Sequence, residues 1–204
     1  MTTFLIVRHG EAEGNAEGRF IGQIDVPLTP LGRRQVERLA PTLLDLGITK
    51  IVSSDLQRAA ETVRPVAELL GLMLEYEPRF REIANGEWAG LMADDIATMW
   101  PERFAAYRAG EDVAREGGER WEDVQLRVRE ALIELASASR SDDVVLVGTH
   151  AGPAMAIARW AAGHPPIGNV FTSEFPPVAN TSVSTFQMIS NNPRLIEYNR
   201  IHHL

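Results

Sequence analysis

The sequence predicts a three-layer α/β/α protein built on a mostly parallel central sheet. Short apolar runs such as Phe4–Val7, Lys50–Ser53 and Val144–Val147 have the length of buried strands, and they alternate with longer stretches of helical period. Glycines and prolines fall between them. That alternation favours a parallel sheet covered on both faces.

The elements follow in order. After the strand at 4–7, residues 8–28 read as a long loop rich in glycine and charge. Thr29 then caps a helix with Pro30 at its first position. Val36, Leu39, Leu43 and Leu46 share one face of it, and Gly47 is the stop, although Pro41 should kink or shorten it. A strand at Lys50–Ser53 leads into a helix capped by Asp55, closed by Gly71 and bent at Pro65. Residues 72–77 are a further strand. The segment 79–120 breaks the rhythm, with short helical pieces at 94–99 and 102–108 and a turn at Gly117-Gly118. It reads as an insertion or lid over a site, so that 1–204 is expected to be one domain. A long helix, Trp121 to about Ala138, carries Val124, Val128, Leu132 and Leu135 on one face. The strand at 144–147, a helix from Gly152 to Ala162, a proline-rich loop and late strands at 182–188 and 195–198 complete the chain.

Composition narrows the function classes. The chain of 204 residues has no cysteine, so neither a disulfide framework nor a thiol nucleophile is available. Met1-Thr2-Thr3 leads straight into a strand without the features of a signal peptide, and no apolar run approaches the ~20 residues of a membrane span. A soluble cytoplasmic protein is expected. With 28 acidic against 20 basic residues, the net charge of −8 argues against nucleic acid and acidic membranes as partners. A homo-oligomer is left open. An anionic substrate would need arginines concentrated locally.

Two strand ends supply such a concentration. Phe4-Leu5-Ile6-Val7 runs into Arg8-His9-Gly10-Glu11, and Val144–Val147 runs into Gly148-Thr149-His150-Ala151-Gly152. Ligands of open α/β sheets bind at the carboxyl ends of the strands. Gly10, lacking a Cβ, would let backbone approach a ligand closely. A neutral His9 imidazole can attack phosphorus and form a phosphohistidine, splitting one hard transfer into two easier steps. Arg8 and Arg58, the latter in the first turn of a helix after a strand, can meet phosphoryl oxygens bidentately. His150, at a helix start, adds a further donor. The leaving oxygen needs a proton, and Glu82 can reach the pocket from the side, with Glu87 as the alternative. Taken singly, each residue is more often a structural or solvated group than a functional one; their joint occurrence at successive strand ends makes the case.

These residues resemble the histidine phosphatase superfamily, the phosphoglycerate mutase-like group. The matching segments are Arg8-His9-Gly10-Glu11, then Asn15, Phe20-Ile21-Gly22 and Asp25–Gly32, then Ser54-Asp55-Leu56 with Arg58, Ala59 and Thr62. Arg81-Glu82-Ile83 with Gly86-Glu87-Trp88, Thr149–Gly152 and Asn180–Val183 follow in family order, from residue 4 to about 186. The resemblance implies His9 as nucleophile, Arg8, Arg58 and His150 as the rest of the phosphate pocket, and Glu82 as proton donor and then base for water. It implies substrate contacts from Asn15, Gly22 and Gln23. No metal or other cofactor is expected, because two arginines and a second histidine can offset phosphoryl charge and no Asp/Glu/His cluster has metal-ligand spacing. The chain departs from the family at Ala151, which replaces a glycine, at Ala89, which replaces a common Glu, and at Arg120, where many relatives carry Ser.

By the same resemblance the expected activity is hydrolysis of a small phosphorylated metabolite. Glycolytic mutases of the family carry a longer insertion and an Arg-His-Tyr-Gly segment where this chain has Arg81–Gly86. A mutase is the second reading. An inactive phosphate-binding module is the third, and no pocket residue is missing that would support it. The lid arginines Arg103, Arg108, Arg115 and Arg120, with Tyr107, are candidates to set specificity.

Overall fold

The computed structural model describes residues 1–172 and 174–204. Its described strands are Thr3–Arg8 (β1), Lys50–Ser53 (β2), Leu74–Tyr76 (β3), Val144–Thr149 (β4), Val183–Ile189 (β5) and Asn192–Arg200 (β6). They form one sheet in the order β3-β2-β4-β1-β5-β6. The first four strands of that order run parallel, while β5 is antiparallel to β1 and β6 to β5. The expected parallel sheet is therefore present and is closed on one side by a hairpin. Ser190 and Asn191, at φ 48° and 62°, make its two-residue turn. Positive φ at both turn positions matches the right-handed twist of the strands. Pro193 is tolerated in β6 because that strand is an edge.

The pleat of β1 divides the core in two. Phe4 and Ile6 pack with Val145 and Val147 against two helices, Trp121–Ala138 (α5) and Ala151–Ala161 (α6). Leu5 and Val7 pack on the other face with Ile51 and Leu146, against Pro30–Leu39 (α1) and Gln57–Leu70 (α2). Each fully buried side chain of this size contributes about 1.5–3 kcal/mol. The result is the three-layer arrangement. No helix among the described residues is long and apolar enough to cross a membrane.

Several local expectations are refined. Thr29 does cap α1, its Oγ1 accepting from the Gly32 amide at 3.0 Å. The helix ends at Leu39, because Pro41 has no N–H for the next bond, and residues Ala40–Leu46 tighten into 3₁₀ turns. Gly47 closes this run at φ 70°. Leu43 stays in the core, but Leu46 turns out to solvent. Asp55 does not cap α2. Its carboxylate is taken by Arg81, with Nε to Oδ1 at 2.7 Å, and the remote Asp25 accepts from the Gln57 amide at 2.7 Å instead. As expected, α2 runs through Pro65 to Leu70 and is closed by Gly71 at φ 66°. The segment between β3 and α5 holds the two short helices Ala93–Met99 (α3) and Pro101–Arg108 (α4).

Gly10 has a different use from the one expected. A Cβ there would lie 2.8 Å from the carbonyl oxygen of Gly32, and one on Gly32 would collide with the carbonyl oxygen of Glu11. The pair lets the backbone of α1 touch the loop that carries His9. Gly32→Ala should therefore destabilise the fold by about 1–3 kcal/mol, the usual cost of overpacking. Urea unfolding measures this, and an unchanged midpoint would show that the loop yields freely.

Candidate active site

Strand order assembles the site. β2, β4 and β1 are parallel neighbours, so Ser54, His150 and His9 leave the sheet along one edge. Backbone bonds carry the ladder one residue further, from the His9 amide to the Thr149 carbonyl at 2.9 Å and from the Ser54 amide to the Gly148 carbonyl at 2.8 Å. This edge opens onto a cavity of about 410 Å³ whose wall includes Arg8, His9, Asn15, Gly22, Arg58 and Glu82.

His9 is held in one tautomer. Its Nδ1 lies 2.7 Å from the Gly10 carbonyl oxygen, which can only accept, so Nδ1 carries the proton and Nε2 keeps the lone pair. The ring is 4% exposed, and burial, followed by the charges of Arg58 and Arg8, holds its pKa well below the usual 6.5. It is therefore neutral at physiological pH. His150 is fully buried and stands beside His9 rather than in the cavity wall, with ring centroids 5.1 Å apart and edge-on. Its Nε2 is 2.9 Å from Ser54 Oγ, and its Nδ1 has no partner. Burial, then Arg58 and His9, keeps it neutral as well.

Two guanidinium groups face these rings. Arg58, in the first turn of α2, donates from Nη1 to the Ile24 carbonyl at 2.9 Å and from Nη2 to the Gly22 carbonyl at 2.6 Å. Burial pushes its pKa down to about 10, opposed by the charge of Glu82. Arg8 donates from Nη1 to the Val178 carbonyl at 2.6 Å, and its buried Nε has no partner. Burial lowers its pKa too, again against Glu82.

Backbone amides fix Glu82. Oε1 accepts from the Ile83 amide at 2.9 Å and Oε2 from the Gly152 amide at 3.1 Å. A Cβ on Gly152 would strike Oε1 and lie 2.7 Å from the Trp121 ring, so any larger residue here would displace the Glu82 carboxylate or the indole. Ala151 takes a place in the cavity wall without displacing His150. Glu87 stands outside the wall. Arg103 at 2.6 Å and the Glu116 amide at 3.1 Å occupy it, and Arg103 holds its pKa below the usual carboxylate range.

Asn15 lines the cavity, its Oδ1 accepting from the Ala12 amide at 3.1 Å. Gln23 does not, although the resemblance implied a substrate contact. Its amide donates to the Glu82 carbonyl at 3.0 Å and so braces the backbone of Glu82. Sequence reasoning missed the stronger brace. Arg127 donates to the carbonyls of Arg79 (2.6 Å), Arg81 (2.7 Å) and Glu82 (3.1 Å), and its Nε pairs with Glu119 at 2.8 Å. Nothing in the sequence distinguishes Arg127 from an ordinary solvated arginine on α5. Of the candidate lid residues, Tyr107 reaches the cavity wall and Arg115 is buried, while Arg103 and Arg120 are bonded locally. Among the described residues no group of three His, Asp or Glu side chains is placed to hold a metal ion.

The two neutral histidines make stability depend on pH. Both have folded pKa values well below 6.5. Below that value the unfolded chain binds protons that the native state refuses, so stability falls as pH drops from about 6.5 towards the folded values. The slope is up to about 1.4 kcal/mol per pH unit for each histidine. Chemical unfolding between pH 7 and pH 5 should show this, and His9→Gln should make the slope shallower, with His150 and His203, whose pKa burial also lowers, supplying the rest. A flat profile would mean that the rings titrate normally.

Fold and cavity together define an α/β protein whose cavity, lined by His9, Arg8 and Arg58 among others, opens at the carboxyl ends of its parallel strands. The chain belongs to the histidine phosphatase superfamily (branch 1), which matches residues 4–201. It is 34% identical over 155 residues to the glucosyl-3-phosphoglycerate phosphatase of Mycobacterium tuberculosis, covering 72% of this chain and 70% of that one. It is 33% identical over 150 residues to a probable phosphoglycerate mutase of an Enterobacter species, covering 72% and 69%. The solved structure of a mycobacterial glucosyl-3-phosphoglycerate phosphatase complexed with VO3 superimposes with a TM-score of 0.87 at 30% identity, covering 98% of this chain and 99% of the other.

Proposed function

We propose that this protein is a phosphomonoester hydrolase that works through a phosphohistidine at His9. The observation that carries the reading is the tautomer of His9, which leaves a lone pair on Nε2 of a neutral ring flanked by two arginines. Nε2 attacks phosphorus, a P–N bond forms, and the bond to the ester oxygen breaks. Arg8 and Arg58 offset the charge on the phosphoryl oxygens, and His150, whose unpartnered Nδ1 lies behind the cavity wall, donates to them when that nitrogen carries the ring proton. Glu82 in its protonated form gives its proton to the departing alkoxide. Water then attacks the phosphohistidine and loses a proton to Glu82, inorganic phosphate leaves, and both groups return to their starting states. Similarity to a phosphatase, one of whose relatives is solved with VO3, supports hydrolysis.

Transfer between two positions of a phosphoglycerate is the second reading, favoured by the similarity to a probable mutase. Release of inorganic phosphate separates them. The hydrolase should liberate it from p-nitrophenyl phosphate without a bisphosphate primer and in the presence of EDTA, since arginines supply the positive charge. Interconversion of 2- and 3-phosphoglycerate with little release to water would establish the mutase, and activity lost to EDTA and restored by magnesium would overturn the metal-free route.

A further inference from the structure

The tautomer of His9 depends on one carbonyl, and that carbonyl is itself held from a helix outside the cavity. Nδ1 of His9 donates to the Gly10 carbonyl at 2.7 Å. The N–H of the same peptide unit belongs to Glu11, and it donates to Oε1 of Gln35 at 2.8 Å. Gln35 lies on α1 and takes no part in the cavity wall. A chain of three groups therefore runs from helix to ring: the Gln35 oxygen, the Gly10–Glu11 peptide and the Nδ1 proton. A peptide is planar, so fixing its N–H fixes its C=O. The bond made by the N–H also draws electron density onto the carbonyl oxygen and strengthens the bond that this oxygen accepts.

The position needs such an anchor. Glycine lets the peptide plane that follows it rotate at little steric cost. A carbonyl turned away would leave Nδ1 without its acceptor, and the ring proton could then sit on Nε2, on the lone pair that attacks phosphorus. Neighbouring backbone groups are tied as well, the Gly10 amide donating to Thr62 Oγ1 at 3.0 Å and the Thr29 amide to the Glu11 carbonyl at 2.9 Å. Those bonds hold the chain on either side, whereas the Gln35 bond is made to the peptide whose oxygen meets the ring. Gln35 is half-buried, while Val36 and Leu39 of the same helix are the side chains that enter the core. Its amide is thus dispensable for packing.

We propose that Gln35 is a positioning residue that, through the Gly10–Glu11 peptide, keeps the proton of His9 on Nδ1 and the lone pair on Nε2. The proposal rests on the hydrolase reading for the reaction it serves, but not for the tautomer. Its test reads the tautomer itself. In isotope-labelled protein, long-range proton–nitrogen spectra separate a protonated ring nitrogen from a bare one, and among the five histidines the His9 signals are those lost in His9→Gln. The wild type should show the Nδ1–H form. Gln35→Leu should show a measurable share of the Nε2–H form, and its p-nitrophenol burst at saturating p-nitrophenyl phosphate should be slower by about fivefold, the worth of one hydrogen bond. The concentration giving half the maximal burst rate should stay nearly constant, because Arg8 and Arg58 keep their backbone anchors. Gln35→Glu, which returns an acceptor oxygen, should restore both tautomer and rate. Gln35→Ala gives the same reading if leucine does not fit. An unchanged tautomer in a variant without the oxygen would overturn the proposal whatever happens to the rate. So would a shifted tautomer with an unchanged burst, or a loss that Gln35→Glu does not restore. Failure of the hydrolase reading has a separate signature, no phosphate released by the wild type, and leaves the spectra able to decide for or against Gln35.

Discussion

Replacing His9 by alanine should abolish turnover and the acid-labile phosphoenzyme together. The covalent route needs the lone pair on Nε2, and among the described residues no other group in the cavity wall offers a comparable nucleophile: Arg8, Arg58 and Asn15 are poor ones, burial pushes the pKa of the Tyr107 phenol up, and Glu82 is held by two amides. A loss of at least about a thousandfold in kcat is expected, because a residual rate from charge stabilisation alone lies far below that of the covalent path. Substrate affinity should change much less, since Arg8 and Arg58 are anchored by backbone carbonyls that the substitution does not touch. Rapid-quench labelling with a radioactive phosphomonoester distinguishes the outcomes. A variant that still forms a phosphoenzyme would move the nucleophile elsewhere, with the neighbouring His150 first in line. Vanadate, able to adopt five-coordinate geometry, should inhibit the wild type far more strongly than His9→Ala.

How much of this was readable beforehand depends on the range of the interactions. His9, His150 and Arg58 were legible because each follows an apolar strand, and the parallel order of β2, β4 and β1 brings such ends together without further information. α5 was legible as a helix from Trp121 to about Ala138, since Val124, Val128 and Leu132 repeat at helical spacing and are buried, with Leu135 partly buried against the same cluster. What escaped depends on contacts between distant segments. Asp55 looks like a helix cap locally, yet Arg81, 26 residues away, takes its carboxylate. Gln23 sits in a segment that resembles a substrate loop but spends its amide on the Glu82 carbonyl. Arg127 carries no local signature at all, and Arg115, although named among the lid arginines, has none that sets it apart from the other three. One is defined by three carbonyls of the acid loop and the other by rings from three separate stretches of chain. Gly10 was recognised as a close-approach position, but the backbone it meets belongs to α1.

Glu82→Gln should separate the two halves of the reaction. An alkoxide is a poor leaving group, so hydrolysis of alkyl phosphates should fall by roughly 10²–10⁴, the usual contribution of a positioned acid. The phenolate of p-nitrophenyl phosphate leaves without help, and the burst of p-nitrophenol in the first turnover should be nearly preserved. Water attack on the phosphohistidine still lacks its base, so the phosphoenzyme should accumulate and steady-state release of phosphate should slow for both substrates. Local geometry imposes one complication. The two carboxylate oxygens accept from the amides of Ile83 and Gly152, and a glutamine can satisfy only one of them, because its NH₂ would face the other donor. Glu82→Asp keeps both acceptor oxygens and the ionisable group on a shorter stem, and so reports what displacement alone costs. If Glu82→Gln impaired phosphoryl transfer from aryl and alkyl esters equally, with no accumulation of phosphoenzyme, the carboxylate would be only a part of the pocket wall. The proton would then have to come from another group. Glu87 would be the one to test, despite its bond to Arg103.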